Sequence, residues 1–230
     1  MNILITGASR GIGYDTVVAL AKDPANKLIA LSRNKEKLKK LTEAVAPNNL
    51  QILPLDLTNF DAVYLTSALS EINSIDVLIN NAGLLVNKPF TALDMADWKN
   101  IFDVNLFGVV RLIQVLLPKL RAADKAHILN ISSMGGVQGS SKFPGLSAYS
   151  ASKAAIINLT ECLAEELKED DIRVNCFALG AVQTEMLEDA FPGYKAPVTS
   201  EEMAAYISWF ARNGHHFHNG KIIPVAVSTP

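Results

Sequence analysis

Ile3-Leu4-Ile5-Thr6-Gly7-Ala8-Ser9-Arg10-Gly11-Ile12-Gly13 decides the fold. Three apolar residues read as a short buried strand. A helix pattern then runs to about Lys22, with Val17, Val18, Leu20 and Ala21 apolar. Between them, Gly7 lets the chain turn tightly. Gly11 and Gly13 let backbone and helix approach a diphosphate with no Cβ in the way. The helix start offers free N–H groups and the positive end of a dipole to that anion. Ser9, Arg10 and Ile12 fill the same turn and count as contact positions. Strand, glycine turn and helix in this order form a dinucleotide-binding unit. Asp15 is read as a first-turn residue that compensates the dipole, because an anion facing phosphate would repel it.

The pattern repeats along the chain. Strands are expected at Lys27–Leu31, Ile52–Leu55, Val77–Ile79, Ile128–Ile131, Ile172–Phe177 and Ile222–Val227. Helices are expected at Glu36–Ala46, Asp61–Ile72, Trp98–Leu120, Ala154–Leu167 and Glu201–Phe210. Short, almost wholly apolar strands separated by helices mean a sheet buried on both faces. The predicted class is α/β: a doubly wound (Rossmann), mostly parallel seven-stranded sheet, helices on both faces, in a single domain. No internal repeat, low-complexity stretch or linker interrupts it.

Composition agrees with a globular core: 230 residues, 49% hydrophobic and 19% charged, with formal net charge −2. That charge gives no reason to expect a nucleic-acid or membrane-surface partner. No signal peptide is read at the N-terminus, and no apolar run is judged long enough to span a bilayer. Cys162 and Cys176 lack metal or redox spacing, so reduced thiols in a cytoplasmic protein are expected. His215-His216-Phe217-His218 has metal-capable side chains, but no nearby carboxylate or cysteine completes a tetrahedral set. It is read as a polar loop before the last strand, and no metal is expected.

The end of the second strand sets the nucleotide. A free ribose 2′-OH is usually held there by an acidic side chain. Here the residues are Leu31-Ser32-Arg33, with no acid. Arg10 should lie near the same ribose, and two guanidiniums can hold a 2′-phosphate through forked, charge-assisted hydrogen bonds. NADP(H) is therefore the expected cofactor, with Ser32 and Arg33 in contact. Lys35 and Lys37 are read as solvated neighbours.

Tyr149 and Lys153 lie at i and i+4 near the start of a helix, so their side chains share one face. An ammonium nearby favours the phenolate. Lowering a phenol by about three pKa units needs roughly 4 kcal/mol, part from Lys153 and the rest from a cationic cofactor ring. Such a phenol can give a proton to a carbonyl oxygen or take one from an alcohol. Taken alone, Tyr-x-x-x-Lys is so permissive that an ordinary amphipathic helix is the stronger reading.

Several motifs in order resolve that ambiguity. These are Thr6-Gly7-x-x-x-Gly11-x-Gly13, Asp56-Leu57, Asn80-Asn81-Ala82-Gly83, Asn105 within Asn105-Leu106-Phe107-Gly108, Asn130-Ile131-Ser132-Ser133, and Tyr149-x-x-x-Lys153. In this series the chain resembles the short-chain dehydrogenase/reductase family, from Met1 to about Lys221. The resemblance implies that Asp56 and Leu57 hold adenine, and that Asn81, Ala82 and Gly83 line the cofactor. Val182 and Thr184 would reach the carboxamide. Tyr149 would be the acid/base. Lys153 would lower its pKa and bind the nicotinamide ribose. Ser133, followed by Met134-Gly135, would position the substrate oxygen, leaving Ser132 to point into the sheet. Asn105 would hold a water that links Lys153 to solvent.

Departures from the family pattern are also visible. Leu179-Gly180 stands where the family usually has Pro-Gly, which should free the backbone there. Gly139–Gly145 looks like a lengthened substrate-side loop. Met186, Leu187, Phe191 and Tyr194 form an apolar lid or a short packed helix. The family's common acidic-glycine ending is missing after the last strand.

The expected activity is NADPH-dependent reduction of a ketone or aldehyde, or the reverse oxidation of an alcohol. The alternatives are 3-oxoacyl-[acyl-carrier-protein] reduction and NADPH sensing without turnover. Lys119, Arg121 and Lys125 are the candidates for a carrier-docking face. A homodimer or homotetramer is expected. Val109, Leu112, Leu116, Ile156 and Leu163 cannot all face the sheet if their helices are straight, and in this family those helices pair between subunits.

Overall fold

The computed structural model describes residues 1–45 and 49–227. Its strands are β1 (Asn2–Thr6), β2 (Lys27–Ser32), β3 (Leu50–Pro54), β4 (Val77–Asn80), β5 (Ala126–Ser133), β6 (Ile172–Leu179), β7 (Val182–Gln183), β8 (Val198–Thr199) and β9 (Ile222–Val225). Its helices are α1 (Gly11–Leu20), α2 (Lys35–Ala44), α3 (Ala62–Ala68), α4 (Met95–Phe102), α5 (Gly108–Arg121), α6 (Ser147–Glu166), α7 (Glu185–Ala190) and α8 (Ser200–Asn213). Seven strands make one parallel sheet in the order β3-β2-β1-β4-β5-β6-β9, while β7 and β8 pair separately.

Alternation along each strand builds two cores. Ile3 and Ile5 of β1 pack with Val17, Leu20, Leu38, Leu41, Ile207 and Phe210 on one face. Leu4, between them, packs with Leu65, Leu112, Leu116 and Ile156 on the other. In β6, Val174 and Cys176 join the second core while Phe177 and Leu179 join the first. Helices therefore cover both faces, as the apolar strands require. Chain order reverses between β1 and β4, and a cleft opens at the carboxyl ends of such strands.

Several expectations need correction. The long helix is α4, a π-turn at Asp103–Phe107, then α5, and it starts at Met95 because Asp94 and Asp97 form a capping box. The whole stretch Met95–Arg121 is long and apolar enough to cross a bilayer by length and composition, contrary to the sequence reading. Its apolar side faces the sheet, with Val109, Leu112 and Leu116 buried, and a soluble protein's core helix passes the same test. Val109, Leu112, Leu116 and Ile156 are all buried within one chain and Leu163 packs partly against the same core, so the argument for subunit pairing from these residues fails. Val109, Leu112 and Leu116 stand at i, i+3 and i+7 within α5, and Ile156 and Leu163 at i and i+7 within α6, so each set shares one face of its helix.

Asp15 lies one turn deeper in α1 than expected. It packs toward α8, where burial raises its carboxyl pKa against a Ser200 hydrogen bond, with Glu201 nearby. Leu179 is not freed by the lack of proline. It sits in β6, paired with Ser133 and Val225, and the Gly180 N–H donates to the Val225 carbonyl at 2.9 Å. The helix expected over Asp61–Ile72 stops at Ala68, and the last strand stops at Val225. The Ala46 end expected for α2 lies outside the described residues.

Candidate active site

The cleft over the sheet's carboxyl edge has a volume of about 560 Å³. It is lined by Gly7, Ser9, Arg10, Gly11, Ile12, Ser32, Arg33, Asp56, Leu57, Asn81, Ala82, Gly83, Ser133, Tyr149, Lys153, Val182 and Thr184. Every expected site residue except Gly13 and Asn105 is in that lining, and both of these sit directly behind it. A Cβ on Gly13 would fall 2.4 Å from the Gly7 carbonyl oxygen and 2.5 Å from Asn81 Nδ2. Gly13 therefore acts by letting α1 pack onto the turn, which keeps Gly7 and Asn81 in place.

The glycine turn is braced from β4. Asn81 Nδ2 donates to the Thr6 carbonyl at 3.1 Å, and the N–H groups of Asn81 and Ala82 both donate to Thr6 Oγ1 at 3.0 Å. Gly7 has φ +68°, and a Cβ there would meet Ala82 Cα at 2.8 Å. Arg10, the residue before α1, supplies no side-chain cap, so the first N–H groups of the helix face the cleft uncapped by it. A glycine cradle and an uncapped helix start fit a dinucleotide diphosphate. Ser32 Oγ donates to Ser9 Oγ at 2.8 Å, which ties the end of β2 to the turn. Asp56 is held by its own turn, accepting from the N–H and hydroxyl of Thr58 at 3.0 and 2.9 Å.

At the other end, α6 presents Tyr149 and Lys153 beside the end of β5. Lys153 Nζ donates to the Ile131 carbonyl at 2.8 Å and lies 5.8 Å from the Tyr149 ring centroid. Burial pushes the Lys153 pKa down to about 8. Burial also raises the Tyr149 phenol, while a Ser133 hydrogen bond pulls it the other way. The protein thus raises Tyr149 where a lowering was expected, because desolvation of the phenolate outweighs the Ser133 hydrogen bond. Ser133 Oγ accepts from the Gly135 N–H at 3.1 Å and lines the cleft. Ser132 also borders the cleft, but it is buried and its hydroxyl donates to the Lys153 carbonyl at 2.8 Å, so it is engaged with α6.

Asn105 lies in the π-turn and is buried. Its Nδ2 donates to the Leu84 carbonyl and to Ser152 Oγ, both at 2.9 Å, and its Oδ1 accepts from the Leu84 N–H at 2.7 Å. These contacts fix the Gly83–Leu84 backbone. A Cβ on Gly83 would lie 3.5 Å from Lys153 Nζ and 3.6 Å from Asn105 Oδ1, so all three groups border one small space.

Two charged lining residues escaped the sequence reading. Glu185 Oε2 lies 3.0 Å from Arg10 Nη1 and 3.2 Å from Lys37 Nζ. Arg10 chiefly, and Lys37 with it, lower the Glu185 pKa. Lys37 is therefore a cleft cation rather than a solvated neighbour. Glu185 and its cations lie 175 and 148 residues apart, beyond any local pattern. The histidine run is also more than a polar loop. His215 packs against buried His127, with ring centroids 5.6 Å apart. Among the described residues, no three His, Cys, Asp or Glu side chains form a metal-binding group. Of the candidate docking cations, Arg121 pairs with Asp170 at 2.9 Å and Lys119 donates to the Ile72 carbonyl.

Comparison with known proteins gives a consistent result. The short chain dehydrogenase profile matches residues 1–195. An uncharacterized oxidoreductase of Staphylococcus saprophyticus is 35% identical over 190 residues, covering 81% of this chain and 76% of its own. A solved putative short chain dehydrogenase from Shigella flexneri, complexed with NADP, has TM-score 0.86 and 28% identity, covering 97% of this chain and 95% of its own. A 4-hydroxyisoleucine dehydrogenase mutant, complexed with NADH and succinate, has TM-score 0.86 and 26% identity, covering 100% and 98%.

Proposed function

The chain belongs to the short chain dehydrogenase family of oxidoreductases, and from that premise we propose that it is an NADPH-dependent carbonyl reductase and alcohol dehydrogenase. One observation carries this reading: Ser133, Tyr149 and Lys153 border the same cleft whose far end holds Arg10, Arg33 and Lys37. When bound, NADP(H) supplies or accepts the hydride. Ser133 and Tyr149 hold the substrate oxygen by hydrogen bonds, and Tyr149 gives that oxygen its proton in reduction or removes it in oxidation. Lys153 stands beside Tyr149 as the source of positive charge. Asn105 holds the Gly83–Leu84 backbone against that lysine.

NADP(H) rather than NAD(H) is favoured by the three cations and by the lack of an acid at Leu31-Ser32-Arg33. Related structures carry NADP in one case and NADH in another, so the preference rests on this chain's own residues. The remaining Tyr149, Lys153 and Ser133 favour an enzyme over a nucleotide sensor. A cytoplasmic setting, where thiols stay reduced, suits the free Cys162 and Cys176. The test is a panel of ketones and aldehydes followed by NADPH absorbance. Steady consumption with at least one member is expected, and none across the panel overturns the reading.

A further inference from the structure

The two ends of the cleft differ in chemistry. Its charged lining residues Arg10, Arg33, Lys37, Asp56 and Glu185 come from the glycine turn, the ends of β2 and β3, the first turn of α2 and the first residue of α7. Beyond the ends of β4, β5 and β6 the wall is instead Leu85, Met134, Phe143, Leu146, Met186 and Phe191. Among the described lining residues there, the charged group is Lys153, whose ammonium is directed at the Ile131 carbonyl.

This wall is built from tied segments. Phe143, between β5 and α6, meets Phe191, just after α7, with centroids 6.3 Å apart and planes at 61°. Asn87 Nδ2 donates to the Ala190 carbonyl at 2.9 Å, and the Lys88 N–H donates to the Gly145 carbonyl at 3.1 Å. Gly145 has φ +86°, and a Cβ there would fall 2.0 Å from Asn87 Oδ1, so this close approach requires glycine. The segment after β4 thus fixes both aromatic-bearing segments over the catalytic end. Phe143 keeps 40% of its surface exposed, which leaves ring area for a ligand.

We infer that the substrate is an uncharged carbonyl compound bearing a ring or similarly bulky apolar group, seated against Phe143 and Phe191. The inference rests on the carbonyl-reductase reading. A carboxylate entering here would lose hydration without gaining a cation, whereas an aromatic group gains contact with the Phe143 and Phe191 rings.

The probes are ethyl benzoylformate and benzoylformate, which share a skeleton and differ in charge. The ester should be reduced with kcat/KM at least about 100-fold higher, roughly 2.7 kcal/mol of discrimination. Comparable values, or preference for the acid, overturn the inference. Esterification also activates the ketone, so binding of both to Tyr149→Phe in complex with NADPH is measured as well. The ester should bind at least about tenfold tighter, and equal binding overturns the inference. Phe191→Ala should raise KM about tenfold for the ester but less than about threefold for 2,3-butanedione, with Phe191→Leu close to wild type. Equal loss for both ketones in Phe191→Ala also overturns it. If wild type reduces neither probe nor any member of the ketone and aldehyde panel, yet the ester is preferred in binding, the carbonyl-reductase reading fails while the preference of this wall for an uncharged apolar group stands. If both probes are reduced equally, the reverse is true.

Discussion

Lys153 donates its ammonium to the Ile131 carbonyl at 2.8 Å, while the Tyr149 ring centroid lies 5.8 Å from the same nitrogen. The lysine is thus pinned by the sheet in reach of the phenol, without being bonded to it. Burial lowers the Lys153 pKa to about 8 and raises that of Tyr149. Tyr149 is accordingly protonated at neutral pH, the form a proton donor needs. Tyr149→Phe keeps the ring and removes the hydroxyl. Turnover should fall roughly 10²–10⁴-fold with folding and NADPH binding intact. Lys153→Met should lower both turnover and NADPH affinity. Steady-state rates beside thermal melts with and without NADPH check this. Retention of more than about a tenth of turnover by Tyr149→Phe, a barrier change under about 1.4 kcal/mol, rejects the acid/base role.

The cofactor preference can be read by titration. Arg33→Ala should remove about 1.5–3 kcal/mol of NADPH-over-NADH preference, the value of a charged hydrogen-bond partner. Glu185 acts in the opposite direction, because it engages Arg10 and Lys37, two of the cations a 2′-phosphate needs. These pairs are largely exposed, and such pairs are worth about 0.2–1 kcal/mol. Glu185→Gln should therefore tighten NADPH about two- to fivefold and leave NADH nearly unchanged. Equal affinity of the wild type for both nucleotides would sink the assignment.

The fold was legible because its information is local. Ile3-Leu4-Ile5, Val77-Leu78-Ile79 and Ile128–Ile131 are apolar on both faces, and only a covered parallel sheet accepts that. The candidate site was legible wherever a residue ends a strand or starts a helix, as with Gly7, Ser133 and Tyr149. Three features were not. Glu185 finds Arg10 and Lys37 only through the fold. The π-turn at Asp103–Phe107 carries no signature in apolar spacing, yet it positions Asn105. The direction of the Tyr149 shift depends on burial, which the i, i+4 spacing does not report.

Assembly remains a proposal with a different footing from helix periodicity. Phe90, Met95 and Phe107 are 71%, 79% and 56% exposed, at and around α4 and the π-turn. Large apolar side chains this exposed favour association. A dimer or larger species is expected by light scattering at micromolar concentration, and Phe107→Glu should shift it toward monomer. A monomeric mass for the wild type refutes the proposal.

His127 gives the last prediction. It is fully buried in β5, with Nδ1 2.8 Å from the Ala211 carbonyl and Nε2 3.1 Å from Asn175 Nδ2. The carbonyl needs a donor, so Nδ1 carries the proton and Nε2 accepts from the Asn175 amide. Protonating Nε2 would turn an N–H toward an NH₂ group. His215 and His218 lie nearby, and Lys125 and Arg173 face His215, so the surroundings offer positive charge. Burial lowers the His127 pKa to about 4, from an ordinary 6.5. Between those values the unfolded chain binds the proton and the native chain does not. Stability therefore rises with pH across that window and is lost as pH falls from 6.5 through 4, by about 3 kcal/mol from this residue. His127→Gln does not titrate, so it should lose less stability than wild type between pH 7 and pH 4. Urea unfolding at both pH values measures the difference. Equal losses in the two proteins would show that His127 is not the titrating group.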